Sequence, residues 1–157
     1  PFQAALLAHP KFVAGDFNTG FIAEQYPNGF SAAALPQTDP MLLRALAAVA
    51  NRIHLDRSAR ITGQLPGHEF VINADSVVIT SDGEGQSDHV PVSVVPEGSG
   101  FRVELGGASY LICFDTPLRE MVIHGSIDGR PFCAQIERIG LAYRVIHNGT
   151  QIDAKVV

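Results

Sequence analysis

Six histidines and two cysteines are the side chains of this 157-residue sequence best suited to metal or nucleophilic chemistry, and their spacing argues against both. His9, His54, His68, His89, His124 and His147 never pair with a second ligand at helical or strand spacing, so no zinc site is expected. Cys113 and Cys133 stand in separate apolar runs, matching neither a zinc nor a redox pattern, and reduced thiols are expected. The run GSIDG from Gly125 to Gly129 resembles a nucleophile elbow, but its serine sits one place too early and no helix follows; it reads as a hairpin. Gly83-Glu84-Gly85 lacks the later glycine of a phosphate loop, and its acidic neighbours would repel phosphate. Asn148-Gly149-Thr150 has the form of a glycosylation sequon and reads as a turn. No acid, base and nucleophile converge, so no catalytic, cofactor-binding or metal-binding residues are assigned.

The recognition chemistry lies elsewhere, in RSARITGQLP from Arg57 to Pro66. Arginines can pair with carboxylates or carbonyls of a partner, and isoleucine and leucine supply apolar anchors. The segment reads either as a plain crossover loop or as an arm that docks on another protein. Its candidate contacts are Arg57, Ser58, Arg60, Ile61, Gln64 and Leu65.

The elements around this arm can be placed from periodicity. Upstream, Thr38-Asp39-Pro40 combines a cap with a proline at the first turn, which predicts a helix running to about Leu55. Its core, Met41 to Ile53, is apolar on every side except for Arg44, Asn51 and Arg52. A helix of that kind must be enclosed, and thirteen residues are too few to span a bilayer. Earlier helices are predicted over Gln3 to Ala8 and Thr19 to Gln25, with an irregular link from Pro27 to Gln37.

After His68 the period changes to two. EFVINADSVVIT predicts one long or kinked strand, followed by HVPVSVV, FRVEL, YLICF, EMVIHGSI, PFCAQIERI, LAYRVIH and TQIDAKVV. Turn pairs such as Gly106-Gly107, Asp128-Gly129 and Asn148-Gly149 separate the later runs, and the polar SDGEGQSD separates the first two. About eight antiparallel strands close into a barrel, which removes exposed edges. The expected fold is therefore α+β: mainly an antiparallel eight-stranded β-barrel around one central apolar α-helix, preceded by short helices. Ala45, Ala47, Ala48 and Ala50 keep that helix thin enough to be surrounded.

Composition narrows the function classes. Hydrophobic residues make up 46% and charged residues 17%, as in a globular protein. The net charge of -5 offers no basic stripe for nucleic acid or an anionic membrane surface, so neither is an expected partner. The first residues lack the pattern of a signal peptide, and an opening Pro-Phe inside a helix-like pattern, with no initiator methionine, leads us to expect a piece of a longer protein.

Two stretches carry a family resemblance. PFQAALLAHPKFVAGDFNTGFIAEQYPNGF is similar to the last helices of the biotin carboxylase domain. The remainder, through FRVELGG, DGRPFCAQIERIG and LAYRVIHNG, resembles the BT domain of biotin-dependent acyl-CoA carboxylase alpha subunits of the propionyl-CoA carboxylase type. The resemblance implies a biotin carboxylase tail and linker over 1–37 and a barrel domain over 38–157, with its central helix at 38–55. It implies a non-catalytic assembly domain within a ligase that uses biotin, ATP, magnesium and bicarbonate, none of them held by this fragment. It further implies docking on the carboxyltransferase beta subunit through a hook matching Arg57 to Pro66, with the biotin carboxylase and biotin carrier domains as neighbours in the same chain. Phe2, Leu6, Leu7, Phe12, Phe21 and Ile22 would then face the rest of the biotin carboxylase domain. The implied location is the bacterial cytoplasm, or the mitochondrial matrix in a eukaryote. The alternatives are a small-molecule-binding β-barrel, or the same domain from an acetyl-CoA or 3-methylcrotonyl-CoA carboxylase. A ligand-binding barrel would need an empty interior.

Overall fold

The computed structural model describes residues 2–30, 39–63, 67, 70–81 and 86–157. The chain divides into two compact units, one of residues 1–38 with 148–150 and one of residues 39–147 with 151–157.

The first unit holds three helices, α1 (Phe2–Ala8), α2 (Pro10–Val13) and α3 (Phe21–Gln25). Helices this short are not stable by themselves in water and need tertiary support. Aromatic rings supply it. Phe2 packs against Tyr26 and Phe30, Phe12 stacks on Phe17 at a centroid distance of 4.5 Å, and Phe21 is buried. Phe2, Phe12 and Phe21 thus engage rings of their own unit, while Leu7, Val13, Phe17 and Ile22 face outward. The sequence predicts α3 from Thr19, but it begins at Phe21. The Asn18 side-chain carbonyl accepts from the Gly20 amide at 2.6 Å and holds residues 18–20 in a turn. The short α2 was not predicted; Pro10 opens it and the His9 ring accepts from the Lys11 amide.

The second unit begins with α4 (Pro40–Ala59), followed by β1 (Asp75–Ser81), β2 (Ser87–Glu97), β3 (Gly100–Leu105), β4 (Ala108–Phe114), β5 (Ile123–Ile127), β6 (Arg130–Ile139), β7 (Ala142–His147) and β8 (Thr150–Val156). The strands form a closed barrel in sequence order, with β8 returning to pair with β1 through Val78↔Val156. The eight-stranded α+β barrel read from the sequence is the fold observed. Asp128-Gly129 and Asn148-Gly149 take positive φ at both positions, the geometry a tight hairpin between twisted strands requires.

From Leu43 to Ala50 every residue of α4 except Arg44 is buried, so the burial runs around the whole helix. These residues share one core with inward side chains from all eight strands, among them Val78, Val94, Val103, Ile112, Ile123, Ile136, Val145 and Ala154. Helix α4 therefore occupies the interior that a barrel ligand would need.

Two boundaries differ from the sequence reading. Helix α4 continues to Ala59, one turn past Leu55, because nothing stops it. Arg52 pairs with Asp56 at i,i+4, the Ser58 hydroxyl donates to the His54 carbonyl, and the first glycine comes at Gly63. The predicted long first strand begins only at Asp75. There the Asn73 side chain accepts from the Asp75 amide and turns the chain into β1. Strand β2 is longer than predicted and carries Pro91 and Pro96. Each falls where β2 has a paired neighbour on one side only, so a missing N–H can face away from the ladder.

Candidate docking site

In an up-and-down barrel alternate hairpins lie at opposite poles. Side chains of α4 show which pole is which. Arg44 reaches Asp88 at the start of β2 and Arg52 reaches the Val94 carbonyl near its end, so α4 runs in the direction of β2. Its C-terminal turn therefore emerges with the β2–β3, β4–β5 and β6–β7 connections and with the start of β1. The segment after α4 leaves the barrel at this pole, and the chain re-enters it at the same pole.

At that pole a stripe of α4 residues three apart faces β6 and β7. The Tyr143 hydroxyl donates to the Asn51 side-chain oxygen at 3.4 Å, and Arg138 Nη1 donates to His54 Nε2 at 2.7 Å. Arg57 continues the stripe outward and is exposed. To accept from Arg138, His54 Nε2 must be unprotonated. Desolvation, with the Arg138 and Arg57 charges, holds the His54 pKa below its ordinary value. Burial likewise pushes the Tyr143 phenol up.

Around this stripe several large apolar side chains are exposed, beside the charged Arg119, Glu120 and Glu137. Ile61 is 65% exposed, Met121 81% and Leu141 70%, and Val95, Val122 and Ile139 are exposed as well. Phe70 and Val71, just ahead of β1, are also exposed. Large apolar side chains grouped at one end of a barrel mark an interaction surface more than a solvated face.

The six residues chosen from the sequence are divided by the structure. Arg57 and Ser58 belong to the last turn of α4 rather than to a loop, and the Ser58 hydroxyl is occupied by the His54 carbonyl. Arg60 caps the helix, with its amide donating to the Arg57 carbonyl while the Ile61 amide donates to the Ser58 carbonyl, and Ile61 projects just beyond it. Gln64 and Leu65 lie outside the described residues, as does Pro66. Sequence reasoning missed His54, Arg138, Ile139 and Leu141. The i,i+3 step from His54 to Arg57 was a usable signal; the strand-like runs PFCAQIERI and LAYRVIH hid the other three.

The opposite pole holds a polar cavity of about 600 Å³ lined by Arg44, Gln86, Ser87 and Asp153 among others. Arg44 is engaged there by Thr80 at 2.8 Å and Asp88 at 2.7 Å, which makes it a brace between helix and barrel. Among the described residues, no three His, Cys, Asp or Glu side chains lie close enough together to hold a metal ion.

Comparison with known proteins gives the arrangement a family. Residues 43–157 match the family model described as the propionyl-coenzyme A carboxylase BT domain. The chain is 31% identical over 157 residues, 99% of its length, to the propionyl-CoA carboxylase alpha chain of Ruegeria pomeroyi. It is 26% identical over 172 aligned residues, covering 100% of its length, to the mitochondrial propionyl-CoA carboxylase alpha chain of Caenorhabditis elegans. It spans 22% and 23% of those two relatives, so the matched region is under a quarter of each. A helix-filled, eight-stranded barrel matched from Leu43 to its last residue places this chain in the propionyl-coenzyme A carboxylase BT-domain family.

Proposed function

We propose that this chain is the non-catalytic assembly module of a propionyl-CoA carboxylase alpha chain. That enzyme carboxylates propionyl-CoA at the expense of ATP by way of carboxybiotin. The module joins the alpha chain to the carboxyltransferase beta subunit, and the segment leaving α4 is the arm that docks. The observation carrying this reading is the pole at the C-terminal end of α4. It groups exposed Ile61, Met121, Ile139 and Leu141 with Arg57, Arg60 and Arg138, on a barrel whose interior is filled by its own helix. Such a barrel offers its surface rather than its lumen.

The test replaces residues 60–65 by a Gly-Ser linker of equal length in the full alpha chain. Arg57 to Ala59 are kept because they are helical. Co-purification with the beta subunit is expected to fail while circular dichroism and melting of the alpha chain stay as in the wild type. Assembly and carboxylation at wild-type levels would return the segment to a plain crossover.

A further inference from the structure

The arm is only one part of this pole. Arg138, on β6, spends its 2.7 Å hydrogen bond on a neutral imidazole, although an arginine fork is shaped for a carboxylate. Neither Arg57 nor Arg60 has a carboxylate partner among the described residues, whereas Arg44, Arg52, Arg102 and Arg144 are each paired with one. Arg57, Arg60 and Arg138 thus stand at one pole without a carboxylate partner among the described residues, although Arg130 at the other end of β6 lacks one as well, and Ile139 and Leu141 follow Arg138 in the β6–β7 hairpin.

We propose that the α4 C-terminal turn and the β6–β7 hairpin form one composite docking face, which takes a carboxylate side chain of the beta subunit on Arg138 between the apolar contacts of Ile139 and Leu141. This rests on the reading that the pole meets that subunit. Charge complementarity commits the face to an acidic, apolar-flanked element of the partner, because Arg57, Arg60, Arg119 and Arg138 outnumber Glu120 and Glu137, which line the cavity beside Arg138. His54 is the place-holder: it satisfies Arg138 in the free chain and yields it to the incoming carboxylate. Arg57, three residues along the same stripe, adds to the attraction.

Two charge changes in the full alpha chain test the idea, read as the Kd for the isolated beta subunit. Arg138→Glu is expected to weaken binding at least tenfold. His54→Glu, which gives Arg138 a carboxylate from its own chain, is expected to weaken it by a similar factor although every proposed contact residue remains. His54→Gln, an uncharged acceptor, is expected to stay within about twofold, and the dependence of Kd on salt should be shallower in Arg138→Glu than in the wild type. Melting curves of all three report folding. If Arg138→Glu and His54→Glu both bind as the wild type does while the Gly-Ser arm fails, the arm docks alone and this inference is wrong. If the Gly-Ser arm binds normally too, the docking reading itself is wrong.

Discussion

Arg44 of α4 and Asp88 of β2 meet at 2.7 Å, and the arginine is 13% exposed while the aspartate is 62% exposed. The pair lies where the apolar helix enters the barrel, and the Thr80 hydroxyl accepts from the same guanidinium. Removing the exposed partner leaves the arginine its hydrogen bonds to Thr80 and to Met41 Sδ. Asp88→Asn is expected to cost about 1 kcal/mol. Arg44→Ala, which also removes packing at the barrel mouth, is expected to cost about 2 kcal/mol. Urea denaturation of both variants checks the order, which fails if Asp88→Asn proves the more damaging.

Filling of the barrel by α4 gives a second expectation. Ala47 and Ala48 have at most 1% exposure, and no rotamer of a larger side chain could reach solvent. Phenylalanine at either position is expected to destabilise by about 1–3 kcal/mol or more. A melting temperature unchanged in both variants would mean that the helix is not enclosed.

Strand β4 is approached very closely by its neighbours. A Cβ on Gly100 would land on the Ile112 carbonyl oxygen, and one on Gly125 on the Cys113 carbonyl oxygen. Both glycines are buried members of strands that flank β4, so the adjustment must come from backbone. Gly125→Ala is expected to cost about 2–3 kcal/mol, against less than about 0.5 kcal/mol for the exposed control Ser109→Ala. Equal unfolding midpoints for the two would contradict this.

Protonation provides a fourth handle on the fold. His54 and His147 both have pKa values lowered from 6.5, His54 by desolvation and the nearby arginines, His147 by burial. The unfolded chain then binds protons more readily than the folded one as pH falls through the unfolded value. The stability contributed by the neutral rings is present above about pH 6.5 and lost below it. The urea midpoint is expected to fall between pH 7.5 and 5.5, and the fall should be smaller in a His54→Gln, His147→Gln double variant. An identical slope in that variant would show that other groups govern this range.

The fold was legible because its signals were local. Alternation in FRVEL and TQIDAKVV, the Asp128-Gly129 and Asn148-Gly149 turns, and the all-round apolar helix each point to one arrangement. Boundaries were less so, because they turn on side-chain to backbone bonds. Ser58 to His54 prolongs α4, Asn73 to Asp75 delays β1, and Asn18 to Gly20 delays α3. The proposed docking site was half visible. Arg57, Arg60 and Ile61 stand out in a short connection, but Arg138 follows His54 by 84 residues and joins it only when the barrel closes. Ile139 and Leu141 read as ordinary strand residues until closure leaves them at the rim.

The most direct measurement is hydrogen–deuterium exchange on the full alpha chain with and without its beta subunit. The account predicts that added beta subunit slows exchange in residues 59–63 and 138–142, with the opposite pole around Gly106-Gly107 and Asp128-Gly129 unchanged. Slowing confined to that opposite pole, or none in the barrel at all, would contradict it.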